Sequence, residues 1–149
     1  MMSAASLIVC EKTPRFAPAL RAALGSSPIS MIELRGLGQC EASVAEAPAS
    51  LLAAEITVTN LTAVIDFMDR IGRRFSQSRW TALITLDLGP VEPLLREAGA
   101  IDVLTTTLEA PRLARLARRH VALAPVQAFD LHELIGRRMP WPAYRVANA

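Results

Sequence analysis

Five short apolar runs alternate with five stretches of helical periodicity, and this alternation constrains the chain more than any other feature. Leu7-Ile8-Val9-Cys10 is unbroken in its apolar character, as a strand buried on both faces must be. Ile29 to Leu34, Leu51 to Val58, Thr81 to Leu86 and Asp102 to Thr106 read as four further strands. Between them the period changes. Thr13-Pro14 is an expected N-cap with proline at the first helical position, followed by Phe16, Leu20, Ala23 and Leu24 and closed by Gly25. Gln39 to Glu46 is a short alanine-rich helix, with Gly36-Leu37-Gly38 before it as a turn. Leu61, Val64, Ile65, Met68, Ile71 and Phe75 stripe the clearest helix, with Asp66, Asp69, Arg70 and Arg73 on its other side. Val91, Leu94, Leu95 and Ala98 mark a fourth helix that Gly99 ends, and Leu113, Leu116, Ala117 and His120 a fifth. Strands joined by helices require right-handed crossovers, hence an α/β fold with a parallel sheet covered on both faces.

Composition excludes several alternatives. With 149 residues, 52% of them hydrophobic and 20% charged, the chain has the material for one cored domain and is not of disordered type. Cys10 and Cys40 lack CxxC or Cys/His spacing, which gives neither a disulfide framework nor a zinc site, and Cys10 reads as an inert core thiol. No apolar run approaches the roughly 20 residues a bilayer needs, and Met1 to Ser6 has no basic n-region, so a soluble cytoplasmic protein is expected. The net charge of +2 is uneven: residues 1–108 carry −2 and residues 109–149 carry +4. That asymmetry marks an interaction surface or, more simply, a solvated arginine face on the fifth helix.

The loop residues add a resemblance. Glu97-Ala98-Gly99-Ala100-Ile101-Asp102-Val103-Leu104-Thr105 is similar to the EAGADDYLT run of receiver domains of two-component response regulators, and Leu7 to Pro14 resembles their opening LIVDDEP-like run. The likeness covers roughly residues 6–124. It implies a flavodoxin-like three-layer α/β/α sandwich with strand order 2-1-3-4-5 and a site at the strand carboxyl ends. The expected division is a disordered stretch 1–6, a receiver-like domain 7–124, and a C-terminal extension 125–149 with a short helix.

The same resemblance implies that most of the phosphoryl-transfer apparatus is gone. Receivers phosphorylate an aspartate, hold Mg²⁺ with acidic neighbours, and use a lysine, a hydroxyl and an aromatic ring to relay the change. Here the acidic pair becomes Glu11 and Lys12, the nucleophile position falls on Glu55, and the lysine position on Thr106. The relay position is Val103; only the hydroxyl is kept, at Thr85. Three carboxylates become two beside a lysine, formally −1, which removes the charge a Mg²⁺ site depends on. Glu55 is one methylene longer than aspartate, and one carboxylate lacks the charge and oxygens of a phosphoryl group. It is read as an acidic strand end paired with Lys12, the alternative being a phosphate mimic.

These residues predict a non-phosphorylatable, receiver-like signalling or scaffold protein that is not an enzyme and uses no metal or cofactor. Its partner is a protein or a second copy, engaged through the fourth and fifth helices and the C-terminal arm, with Arg112, Arg115, Arg119, Trp141 and Tyr144 as the interaction surface. Nucleic acid and membrane are not expected partners, since aromatics interleaved with basic residues are lacking. The alternative is a flavodoxin-like small-ligand-binding protein or enzyme using the pocket at the strand ends. His120 and His132 lie far apart in sequence, and His120 is expected to pack at a helix end.

Overall fold

The computed structural model describes residues 5–124. Strands β1 (Leu7–Cys10), β2 (Met31–Leu34), β3 (Leu51–Glu55), β4 (Arg79–Leu83) and β5 (Asp102–Leu104) alternate with helices α1 (Phe16–Leu24), α2 (Leu37–Glu46), α3 (Leu61–Arg74), α4 (Glu92–Glu97) and α5 (Ala110–Leu123). All strand pairs are parallel, in the order β2-β1-β3-β4-β5. This is the flavodoxin-like sandwich that the sequence implied.

Strand alternation sorts the core into two layers. Ile8, Cys10, Leu52, Ala54, Ala82 and Val103 face α2, α3 and α4, meeting Cys40, Val44, Phe67, Met68, Ile71 and Leu95. Leu7, Val9, Leu51, Ala53, Leu83 and Leu104 face α1 and α5, meeting Phe16, Leu20, Leu113, Ala114 and Ala117. Both faces of β1 and β3 are therefore buried, which is why their sequences read as unbroken apolar runs. Small residues on α5 let it approach α1 closely. Gly25 and Gly99 end α1 and α4 with positive φ of 55° and 109°, as expected at helix carboxyl ends.

The boundaries differ from the sequence expectation where polar side chains take over from the ladder. α1 begins at Phe16, and its cap is not Thr13-Pro14. Gly36 is the N-cap of α2, so Leu37-Gly38 is its first turn and not a loop. β2 starts at Met31, two residues later than the apolar run. β3 stops at Glu55 because Asn60 accepts the Thr57 N–H at 2.7 Å and returns a bond to the Glu55 carbonyl at 3.0 Å, turning the chain. β4 includes Arg79 and Trp80 and ends at Leu83; Leu86–Val91 instead forms a 3-10 turn containing Pro90. β5 ends at Leu104, since Thr105 and Thr106 are held by Glu109. The stretch 1–6, expected to be disordered, is ordered at its end: Ala5 and Ser6 are buried, and the Ser6 N–H donates to Ser50 Oγ at 2.9 Å. The C-terminal extension, with His132, Trp141 and Tyr144, lies outside the described residues.

Candidate functional site

The carboxyl ends of β1, β3, β4 and β5 bring Glu11, Lys12, Glu55, Thr85 and Thr106 to one edge of the sheet. Each of the polar groups that the sequence singles out there, Lys12's side chain apart, is bonded locally in a way that favours a structural duty.

Glu11 is the clearest case. It is 1% exposed, and its carboxylate turns toward the amino end of α1. Oε1 accepts the Phe16 N–H at 2.8 Å, while Oε2 accepts those of Arg15 and Ala17 at 3.2 and 3.1 Å. The N-cap residue, Arg15, supplies no side-chain cap, so Glu11 fills that role from the preceding strand end. A carboxylate here satisfies three orphan donors and complements the positive end of the helix dipole. Its lone pairs are largely committed, which leaves little for a divalent ion that wants near-octahedral oxygen geometry.

Glu55, half-buried at the end of β3, accepts the Lys12 backbone N–H at 3.1 Å. This contact is with the Lys12 main chain and is not the expected charge pairing; no Lys12 ammonium–carboxylate pair lies within 4 Å among the described residues. On the other side of the sheet edge, the Thr85 hydroxyl donates to Asp87 Oδ1 inside the same turn.

Thr106, where the resemblance places a lysine, is a capping residue. Its Oγ1 accepts the Leu108 N–H at 3.2 Å, and its own N–H donates to Glu109 Oε1 at 3.2 Å. The same oxygen of Glu109 accepts the Thr105 N–H at 2.8 Å and the Thr105 hydroxyl at 3.1 Å. Burial works to raise the Glu109 carboxyl, but these donors and the Arg112 guanidinium together hold it below the ordinary carboxylate value. Val103 is a plain core residue, 3% exposed.

Sequence reasoning missed Arg15. Its guanidinium crosses the sheet edge to donate to the Ile84 carbonyl at 2.9 Å and lies 4.7 Å from the Phe16 ring centroid. With Glu55, Thr57, Thr85 and Asp87 it lines a cavity of about 210 Å³. A signal was present: a cation at a helix amino end opposes the dipole, so such a residue is expected to be held by something else. A second cavity of about 190 Å³ lies between β1, β3 and α2, lined by Cys10, Lys12, Arg35, Glu55 and Asn60 among others. Cys10 is therefore at the edge of the core, in the same buried layer as Cys40.

The arginines of the expected interaction surface divide into two groups. Arg112 donates to Asp102 at 2.9 Å and pairs with Glu109 at 2.9 Å, so its charge is matched within the chain. Arg96, which is not one of the expected set, takes Glu92 and reaches Asp102, both at 3.5 Å. Arg115 and Arg119 are exposed on α5. The His120 ring nitrogen lies 2.6 Å from the Ala49 carbonyl, which anchors the last turn of α5 as expected.

No protein-family model matches the sequence, and no curated protein matches it. Solved structures do share the fold. A response regulator from Thermotoga maritima superposes with TM-score 0.66 at 14% identity, covering 78% of this chain and 97% of its own. A CheY-like protein, tadZ, from Pseudomonas aeruginosa PAO1 gives 0.63 at 19% identity over 77% and 98%. An atypical orphan response regulator, described as revealing a new phosphorylation-independent regulatory mechanism, gives 0.62 at 13% over 82% and 99%. The neighbours are response-regulator receivers and CheY-like proteins, and what this chain shares with them is architecture.

Proposed function

We propose that this chain is a receiver-like module that signals or scaffolds through protein contacts, without phosphorylation and without catalysis. The observation that carries the reading is the commitment of Glu11 to the three amino-terminal amides of α1. A carboxylate so placed must abandon a buried helix cap to bind a metal, and the lysine position is occupied by the capping Thr106. The printed description of one structural neighbour offers a precedent for regulation independent of phosphorylation. A ligand-binding or enzymatic role draws less support, because the larger of these two edge cavities, about 210 Å³, falls below the usual range for small-molecule sites.

The partner surface is the α4–β5–α5 side. Leu94 and Ile101 are exposed there, and Arg115 and Arg119 supply positive charge. A protein partner or a second copy is engaged by apolar burial, with the arginines setting register, since exposed pairs contribute only about 0–1 kcal/mol each. The test of the central reading is intact mass after incubation with acetyl phosphate and Mg²⁺. An unchanged mass is expected; a phosphoryl adduct mapped to Glu55 overturns it.

A further inference from the structure

A third cavity, of about 240 Å³, opens at the opposite, amino edge of the sheet, where α3 and α4 leave a gap beside the start of β4. Met68, Ala98 and Trp80 make its apolar wall. Two of the side chains lining it are more than nine-tenths buried yet keep an unused polar atom: Trp80 is 6% exposed and Ser78 is 7% exposed. Among the described residues, neither the Trp80 indole N–H nor the Ser78 hydroxyl has a hydrogen-bond partner. Both atoms keep some access to solvent, because no fully enclosed side-chain nitrogen or oxygen lacks a partner there. The indole nitrogen faces Gly99 on the cavity wall, 3.5 Å from where a Cβ on that residue would sit. A tryptophan so deeply buried ordinarily gives its N–H to an acceptor.

The charges at the rim select the kind of acceptor. The Arg79 guanidinium donates to the Ser76 and Ser78 carbonyls, both at 2.8 Å, and no carboxylate lies within 4 Å of it among the described residues. Asp69, the acid on the cavity wall, is paired with Arg73 at 3.0 Å. One unmatched cation beside two free donors favours an acceptor that is itself charged. The apolar wall favours an organic anion over a bare inorganic one, and the volume suits a group the size of a side chain. We propose that this groove binds a carboxylate on a short aliphatic stem, its oxygens accepting from the Trp80 N–H and the Ser78 hydroxyl beside Arg79. The carboxylate is carried by a free acid or by a glutamate of a partner protein.

Gly72 gives the groove its room. It lies one turn after Met68 on the same face of α3, and nothing lies within 4 Å of a Cβ placed on it. Glycine is a poor helix former, so Gly72→Leu favours the helix while its side chain fills open space. The site is independent of the carboxyl-edge reading, which the acetyl phosphate experiment addresses.

The experiment follows the Trp80 indole N–H resonance of the full chain, told from that of Trp141 by a Trp141→Phe variant. The probes are sodium butyrate and glutamate capped as its N-acetyl methylamide, with butylammonium chloride as the same stem in the opposite charge. A saturable downfield indole shift is expected with at least one of the two acids, accompanied by shifts of the Ser78 and Gly99 amides, and none with butylammonium. A response to butyrate alone assigns the carboxylate to a free acid; a response to capped glutamate assigns it to a partner protein. Ser78→Ala gives up a hydroxyl that bonds nothing in the chain, so it should keep the melting temperature and weaken binding about tenfold. Gly72→Leu should keep the amide spectrum of the fold and abolish the shift. No saturable shift with either acid, an equal response to butylammonium, unchanged affinity in Ser78→Ala, or a shift that survives Gly72→Leu would each overturn the proposal.

Discussion

The interior of the sheet and the rim of loops at its carboxyl edge obey different rules. In the interior, each side chain is placed by strand alternation: Ile8 and Leu52 fall on one face, Val9 and Ala53 on the other, and no polar decision is involved. At the rim, backbone groups leaving the ladder need partners, and the polar side chains nearby supply them. Glu11 serves α1, Asn60 serves the turn after β3, and Thr106 with Glu109 serves the entry to α5. The fold depends on hydrophobic period and survives replacement of rim residues. The chemistry depends on rim residues being available, and here they are engaged in holding the loops.

Truncation in the interior should have the largest effect. Leu52 is 1% exposed between β1 and β4, and Leu52→Ala should cost about 3–4 kcal/mol through lost burial and the cavity left behind, read by urea denaturation. Glu11→Ala comes next. It leaves the three amides at the start of α1 without their acceptor in a buried setting, and about 2–3 kcal/mol is expected. Glu11→Gln should recover part of that loss, because its amide oxygen still accepts. If Glu11→Ala behaved like a surface substitution, below about 0.5 kcal/mol, the structural duty assigned to the rim would fail.

The difference between the two regions also explains what was legible in the sequence. Periodicity located the five strands and five α-helices of the described residues, because a residue such as Leu83 or Leu113 has only one way to be buried. It misplaced their ends. Thr13-Pro14 has the right residue types for a cap, yet Glu11 occupies the site from outside the helix, a long-range choice that local pattern cannot reveal. Thr81 to Leu86 reads as a strand, but Thr85 bonds to Asp87 and turns the chain. Positions of the candidate site followed from the likeness to receivers; what their side chains do did not. Lys12 and Glu55 were legible as neighbours, whereas the bond between them runs to a backbone N–H. Arg15 went unnoticed because its partner, the Ile84 carbonyl, is 69 residues away.

A smaller effect should appear in the acid limb of stability. The Glu109 carboxyl titrates lower in the folded chain than in the unfolded one. Its contribution is therefore fully present above the unfolded value, near the ordinary 4.5, and is lost as pH falls through the depressed folded value. Glu109→Gln removes that titration. Melting temperatures of the variant should fall less steeply than those of the wild type as the pH is lowered through this window. Parallel curves would mean that Thr105, Thr106 and Arg112 do not hold the carboxylate as described.

The most direct measurement is a Mg²⁺ titration followed by backbone amide resonances of Lys12, Arg15, Phe16 and Ala17. These four amides bond to the Glu11 and Glu55 carboxylates and so report any withdrawal of either group. With both carboxylates committed to the main chain, the four resonances should stay in place up to about 10 mM Mg²⁺, apart from the uniform drift of ionic strength. Saturable shifts confined to these amides would show the carboxylates leaving their main-chain partners for a metal, and would contradict the account of a rim whose carboxylates serve structure.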